Sequence, residues 1–228
     1  MEEEVLTKEE KIKNVKNEVL EWILCLIIAV VLYLIINYFL GTISGIKQTS
    51  MTPTFVEGEK ILIQRPKIFK KELTYGKVIT FTAPNEEDLS KVTKVDNITG
   101  ELIEGESAVA KYAEKNLFEN FVYDFLGIGK KSYIKRIIGL PGDHITITEE
   151  GKVFRNDEEL VENYLKDGTT SRNGIYVNVI VPENTVFAMG DNRLGSMDSR
   201  ILGCIPIDRI DGYVVAKVWP FNKFEWYN

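Results

Sequence analysis

The sequence predicts a mainly β protein, an antiparallel β-rich domain carried behind one N-terminal membrane helix. Three observations lead there. From residue 60 onward, short β-branched and aromatic runs recur between Gly and Pro breaks. These runs do not alternate regularly with helical segments, as a parallel α/β sheet would require. Ahead of them lies one uninterrupted apolar stretch, residues 22–40. A chain of 228 residues has room for one span and one soluble domain of ordinary size.

The apolar stretch comes first. As a helix rising about 1.5 Å per residue it covers roughly 28 Å, the thickness of a bilayer's hydrocarbon core. Trp22 at one end and Tyr38 with Phe39 at the other suit the two interfaces. A cleavable leader would have a shorter apolar region and a basic rather than mixed approach. A buried core helix is the remaining competitor. Lys8, Lys11, Lys13 and Lys16 precede the run, whereas Lys47 is the only basic residue between 41 and 59. The basic flank stays in the cytoplasm, so residues 1–19 are expected inside, 20–41 as a single-pass anchor and 42–228 outside.

The β elements follow. Ile61 and Ile63, then Val78 and Phe81, mark two short strands, and 132–138 marks a third. The strict alternation of 144–148, a Glu149-Glu150-Gly151 turn and the apolar start at Val153 read as a hairpin. Residues 175–181 form a less regular strand, and Asp211-Gly212 precedes a last one over 213–218. One stretch departs: Leu117, Phe118, Phe121, Val122 and Phe125 recur at helical spacing and predict an amphipathic helix over 109–126.

Composition narrows the chemistry. A net charge of −6, without a long Lys/Arg run, argues against a nucleic-acid partner. The single histidine, His144, excludes a zinc site built on several imidazoles. No metal and no cofactor is expected. Cys25 falls in the apolar stretch and Cys204 in the outer part, so they are not expected to pair.

A serine nucleophile needs a base to take its proton. His144 shares a strand face with Thr146 and Thr148, opposite Ile145 and Ile147, and is expected to point toward solvent. A lysine can replace it only if its amine is kept neutral, which desolvation favours. Lys135 shares a strand face with Tyr133 and Ile137, while Ile134, Arg136 and Ile138 take the other. Periodicity alone does not separate such a lysine from one that snorkels to solvent. Ser50 lies in a polar turn, Ser50-Met51-Thr52-Pro53-Thr54, soon after the apolar stretch. A third, Gly-bounded segment, 190–200, packs Asp191, Asn192, Arg193, Ser196, Asp198, Ser199 and Arg200 together. Spacing does not join the three segments.

In this order and combination, however, they resemble the bacterial type I signal peptidases. The resemblance runs from the apolar stretch through Ser50–Thr54, Tyr133–Asp143 with its Tyr-Ile-Lys-Arg-Ile-Ile-Gly-Leu-Pro-Gly-Asp run, and Gly190-Asp191-Asn192-Arg193 with 196–200. It extends to Val218-Trp219-Pro220-Phe221, and residues 85–130 are the least family-like.

The resemblance implies a membrane-bound serine endopeptidase that removes signal peptides from exported preproteins. It makes Ser50 the nucleophile and Lys135 its general base. Ser196 would orient the lysine amine, and Asp198 and Arg200 would hold the loop. Ile46, Met51, Phe55, Tyr133 and Ile134 would line a cleft for small side chains. A variable β-region, about 146–186, would be inserted in the catalytic core. The partners implied are preproteins, the lipid bilayer and the neighbourhood of the secretion machinery. One position departs from part of the family, where a serine two residues before the nucleophile helps form the oxyanion hole; here Gln48 stands instead. The alternatives are a self-cleaving Ser/Lys repressor-like protein, disfavoured by the apolar stretch, and a catalytically silent paralogue serving as an outward-facing adaptor.

Overall fold

The computed structural model describes residues 8–39, 41–65, 73–84, 108–112, 131–165, 168–170 and 177–227. Helix α1 (Lys8–Phe39) extends well N-terminal of the apolar stretch, because the preceding residues are rich in the good helix formers Glu and Lys. Within it, Lys13–Ile36 is long and apolar enough to cross a membrane, and the rest of the protein buries none of it. That exposure rules out the core-helix competitor.

The strands are β1 (Thr42–Gly45), β2 (Lys60–Gln64), β3 (Val78–Thr82), β4 (Ser132–Gly139), β5 (His144–Ile147), β6 (Val153–Arg155), β7 (Glu158–Glu159), β8 (Asn178–Ile180), β9 (Thr185–Met189), β10 (Ile205–Pro206), β11 (Ile210–Trp219) and β12 (Glu225–Trp226). One sheet has the order β1-β2-β11-β3-β4-β9-β10, with β12 added beside β11; a second has the order β7-β6-β5-β8. All these pairings are antiparallel. The mainly β, antiparallel expectation holds, including the hairpin of β5 and β6.

Three differences have local causes. β9 carries no alternation to read, because every one of its residues is buried. The last strand begins at Ile210, so Asp211-Gly212 lies inside it, at a register shift against β3. A side chain at Gly212 would sit 2.5 Å from Ile63 Cγ2, so only glycine lets β11 approach β2 so closely. Finally, residues 109–112 are not helical. Val109 bridges Cys204, and the Ala110 amide donates to the Cys204 carbonyl at 2.8 Å. Residues 113–126 of the expected helix lie outside the described residues.

Three buried clusters frame the catalytic candidates. One fills the space between the second sheet and β9, around Ile145, Val179 and Phe187. Another surrounds Ile79, Phe81, Ile137 and Tyr213. The third contains Ile46, Met51, Phe55, Ile61, Ile63, Val78 and Val214, with Ile134 and Tyr227 packed against it. Cys25 and Cys204 are both free, as expected.

Candidate active site

Lys135 enters the site from the middle of β4, where Ile79 of β3 is its register partner and Phe81 lies opposite Tyr133. Those neighbours on a central strand keep it from snorkelling, and the residue is only 1% exposed. Its Nζ donates to Ser50 Oγ at 2.9 Å and to the Ile134 carbonyl at 2.8 Å. The amine also lies 5.2 Å from the centre of the Tyr133 ring. Burial pulls the ammonium down to about 8, although the charges of Asp198 and Asp191 oppose the shift. At pH 7 about a tenth of such amines are neutral, against fewer than one in a thousand at an unperturbed lysine.

Ser50 sits in a tight turn whose Thr52 amide donates to the Thr49 carbonyl and whose Phe55 amide donates to the Met51 carbonyl. The turn is fastened from across the fold. Asn192 donates its backbone N–H to the Ser50 carbonyl at 3.0 Å and its side-chain amide to the Thr49 carbonyl at 3.1 Å. Gly190 completes the fit: a Cβ there would lie 2.4 Å from the Ser50 carbonyl oxygen and 2.3 Å from Ser196 Oγ. No larger residue leaves both in place.

The segment 190–200 is therefore a buried clamp rather than a solvated loop. Asp198 caps the short helix Ser199–Leu202 and receives a two-pronged bond from Arg200, Nε at 2.9 Å and Nη2 at 2.8 Å. The Gly190 amide adds a further bond to Asp198 at 3.0 Å. Burial opposes ionisation of Asp198, but Arg200 and that amide outweigh it and hold the carboxyl below its usual range. Arg200 also donates to the Arg193 carbonyl at 2.7 Å.

Ser196 is buried beside Gly190 and next to Asp198, whose ionised form it helps to favour. The Lys135 amine itself donates to Ser50 Oγ and to the Ile134 carbonyl. Of the residues expected to line a cleft, Ile46, Met51 and Phe55 are buried together, and Ile134 packs on them. Tyr133 is half-buried on the other face of β4, packed against the cluster around Phe81, where its ring meets Phe81 edge-on. Gln48 is exposed. His144 lies on the second sheet, its Nε2 2.7 Å from Asn178 Oδ1, on the partly exposed strand face that alternation assigned to it.

Several partners were not legible in the sequence. Arg136 makes a two-pronged bond to Asp191, at 2.9 and 2.6 Å, and stacks 4.1 Å from the centre of the Tyr164 ring. Arg193 pairs with Glu162, and both are buried. Lys217 donates to the Thr54 carbonyl at 3.0 Å and lies 3.4 Å from Glu59. Arg136 and Lys217 stand out as charged residues inside apolar strands, but the sequence does not say which loop carboxylate each one meets.

The family model described as signal peptidase, peptidase S26, matches residues 19–219. Signal peptidase I of Bacillus licheniformis is 31% identical, over 94% of this chain and 96% of its own length. Signal peptidase IB of Staphylococcus aureus strain COL is 26% identical, over 92% and 94% respectively. A crystal structure of a signal peptidase I from Enterococcus faecalis covers 63% of this chain and 97% of its own, at 20% identity and a TM-score of 0.37. With a family model spanning most of its length and a relative of this similarity, the chain belongs to the signal peptidase family, peptidase S26.

Proposed function

We propose that the chain cleaves N-terminal signal peptides from exported preproteins, with Ser50 as nucleophile and Lys135 as general base. The observation that carries this reading is the contact between a buried lysine amine and a serine hydroxyl at 2.9 Å. In its neutral form the amine accepts the Ser50 proton as Oγ attacks the scissile carbonyl. The resulting ammonium returns the proton to the leaving amine, and the neutral base then activates the water that hydrolyses the acyl-enzyme. The oxyanion has the Ser50 N–H, which donates to no described residue, and the Gln48 side-chain amide is a second available donor. Asp198 and Arg200 hold the clamp, and Ser196 forms part of its wall. Ile46, Met51, Phe55, Tyr133 and Ile134 line the cleft, which takes small side chains at the first and third positions before the bond.

Residues 1–19 are placed in the cytoplasm, 20–41 in the bilayer and 42–228 outside, with 146–186 as the inserted β-region. Ser50 lies ten residues beyond Leu40, so a tether of about 3.3 Å per residue keeps it within about 33 Å of the membrane. Exposed aromatics support a domain resting at the bilayer, and exported preproteins as substrates imply the neighbourhood of the secretion machinery. Trp219, Phe221, Phe224 and Trp226 are all exposed, as is Ile43 just after the anchor. The intact Ser50–Lys135 contact speaks against the silent-adaptor reading.

The test uses purified enzyme in liposomes with a preprotein substrate. The expected result is one cut after a small residue, read by mass spectrometry at the new N-terminus, and no cut by a folded Ser50→Ala variant. Cleavage by that variant at an undiminished rate would overturn the assignment.

A further inference from the structure

The cleft proposed above is closed by a residue from a distant part of the chain. Ile46, Met51, Phe55 and Ile134 share one cluster, and Tyr227 is packed against it, with its ring centre 4.8 Å from that of Phe55. Met51 and Phe55 are 0% exposed, so their side chains leave no open slot beside Ser50. An incoming side chain must displace one of these groups, and a small one displaces least.

Tyr227 is the group best placed to set that limit. Phe55 is wedged against Lys217, whose amine lies 5.4 Å from the ring centre and is held by the Thr54 carbonyl and Glu59. Tyr227 is half-buried and lies just past the β12 pairing. Its amide donates to the Val215 carbonyl at 2.8 Å and its hydroxyl to Glu225 at 2.7 Å. The backbone anchor fixes the ring against Phe55 from the solvent side.

We infer that Tyr227 is a positioning residue for substrate selection: by backing Phe55 it sets the largest side chain accepted next to the scissile bond. This rests on the signal-peptide-cleaving reading. It follows that the β11–β12 end of the sheet is a wall of the substrate cleft.

The experiment measures kcat/KM for a preprotein series with Ala, Val or Leu immediately before the scissile bond, using full-length wild type, Tyr227→Ala, Tyr227→Leu and Tyr227→Phe in liposomes. Tyr227→Ala is expected to raise the Val-to-Ala ratio about tenfold or more, the scale of one or two methylenes in an apolar pocket. Tyr227→Phe keeps the ring and should retain the wild-type ratio. Tyr227→Leu preserves apolar volume should the alanine variant fail to fold, and is expected to shift the ratio in the same direction by less. An unchanged ratio in Tyr227→Ala or in Tyr227→Leu, folded by melting and still cutting the Ala substrate, overturns the inference. Failure of wild type to cut the Ala substrate would instead overturn the functional reading beneath it.

Discussion

The Lys135 amine lies 2.9 Å from the Ser50 hydroxyl although 85 positions separate the two residues. The chain closes that gap with two devices. Strand β4 presents the lysine toward an apolar interior, and the 190–200 clamp fixes the serine turn through Asn192 and the space at Gly190. Each device has consequences for stability and activity that can be measured.

Burying the lysine should weaken the fold. Its amine falls from 10.5 to about 8 in the folded state, so the unfolded chain binds the extra proton between those values. Stability of the wild type therefore rises as pH climbs through this window, and the full penalty is present below pH 8. Lys135→Met is expected to abolish cleavage yet stabilise the protein by about 2 kcal/mol at pH 7, with the gain shrinking toward pH 10. Urea unfolding at several pH values checks this.

Arg136 and Asp191 form a buried pair beside the site, with side chains 12% and 0% exposed. Asp191→Leu strands the guanidinium and is expected to cost about 3 kcal/mol. Adding Arg136→Met should recover most of that loss, because the pair is then replaced by apolar groups. A double-mutant cycle from denaturant midpoints measures the coupling.

Gly190→Ala tests the clamp. A methyl at that position meets the Ser50 carbonyl oxygen at 2.4 Å and Ser196 Oγ at 2.3 Å. Displacing the serine turn should lower kcat by about a hundredfold. The accompanying loss of stability should be only about 1–3 kcal/mol. Kinetics and melting of the one variant separate the two effects.

The pattern of what was legible follows from where each signal resides. Alternation in 144–147 is a property of the chain itself, so β5 could be read directly. The face shared by Tyr133, Lys135 and Ile137 left open whether the lysine is buried or snorkels, a choice made by its neighbours across the sheet. β9 could not be read, because a strand buried on both faces has no alternation. Nor could the pairing of Arg193 with Glu162, which depends on how the second sheet folds back onto the clamp. Ser50 and Lys135 came together through resemblance. The bond from the Lys135 amine to the Ile134 carbonyl was not legible at all, because a backbone carbonyl carries no sequence signature.

The most direct test of the Ser50–Lys135 pair is the pH dependence of kcat/KM for preprotein cleavage, measured for wild type and for Lys135→Ala in liposomes. The neutral amine is the active form, so wild-type activity should fall on acidification with a midpoint near 8. The folded alanine variant should show no cleavage at any pH. Full activity in that variant, or a wild-type pH dependence that His144→Gln abolishes, would contradict a lysine base.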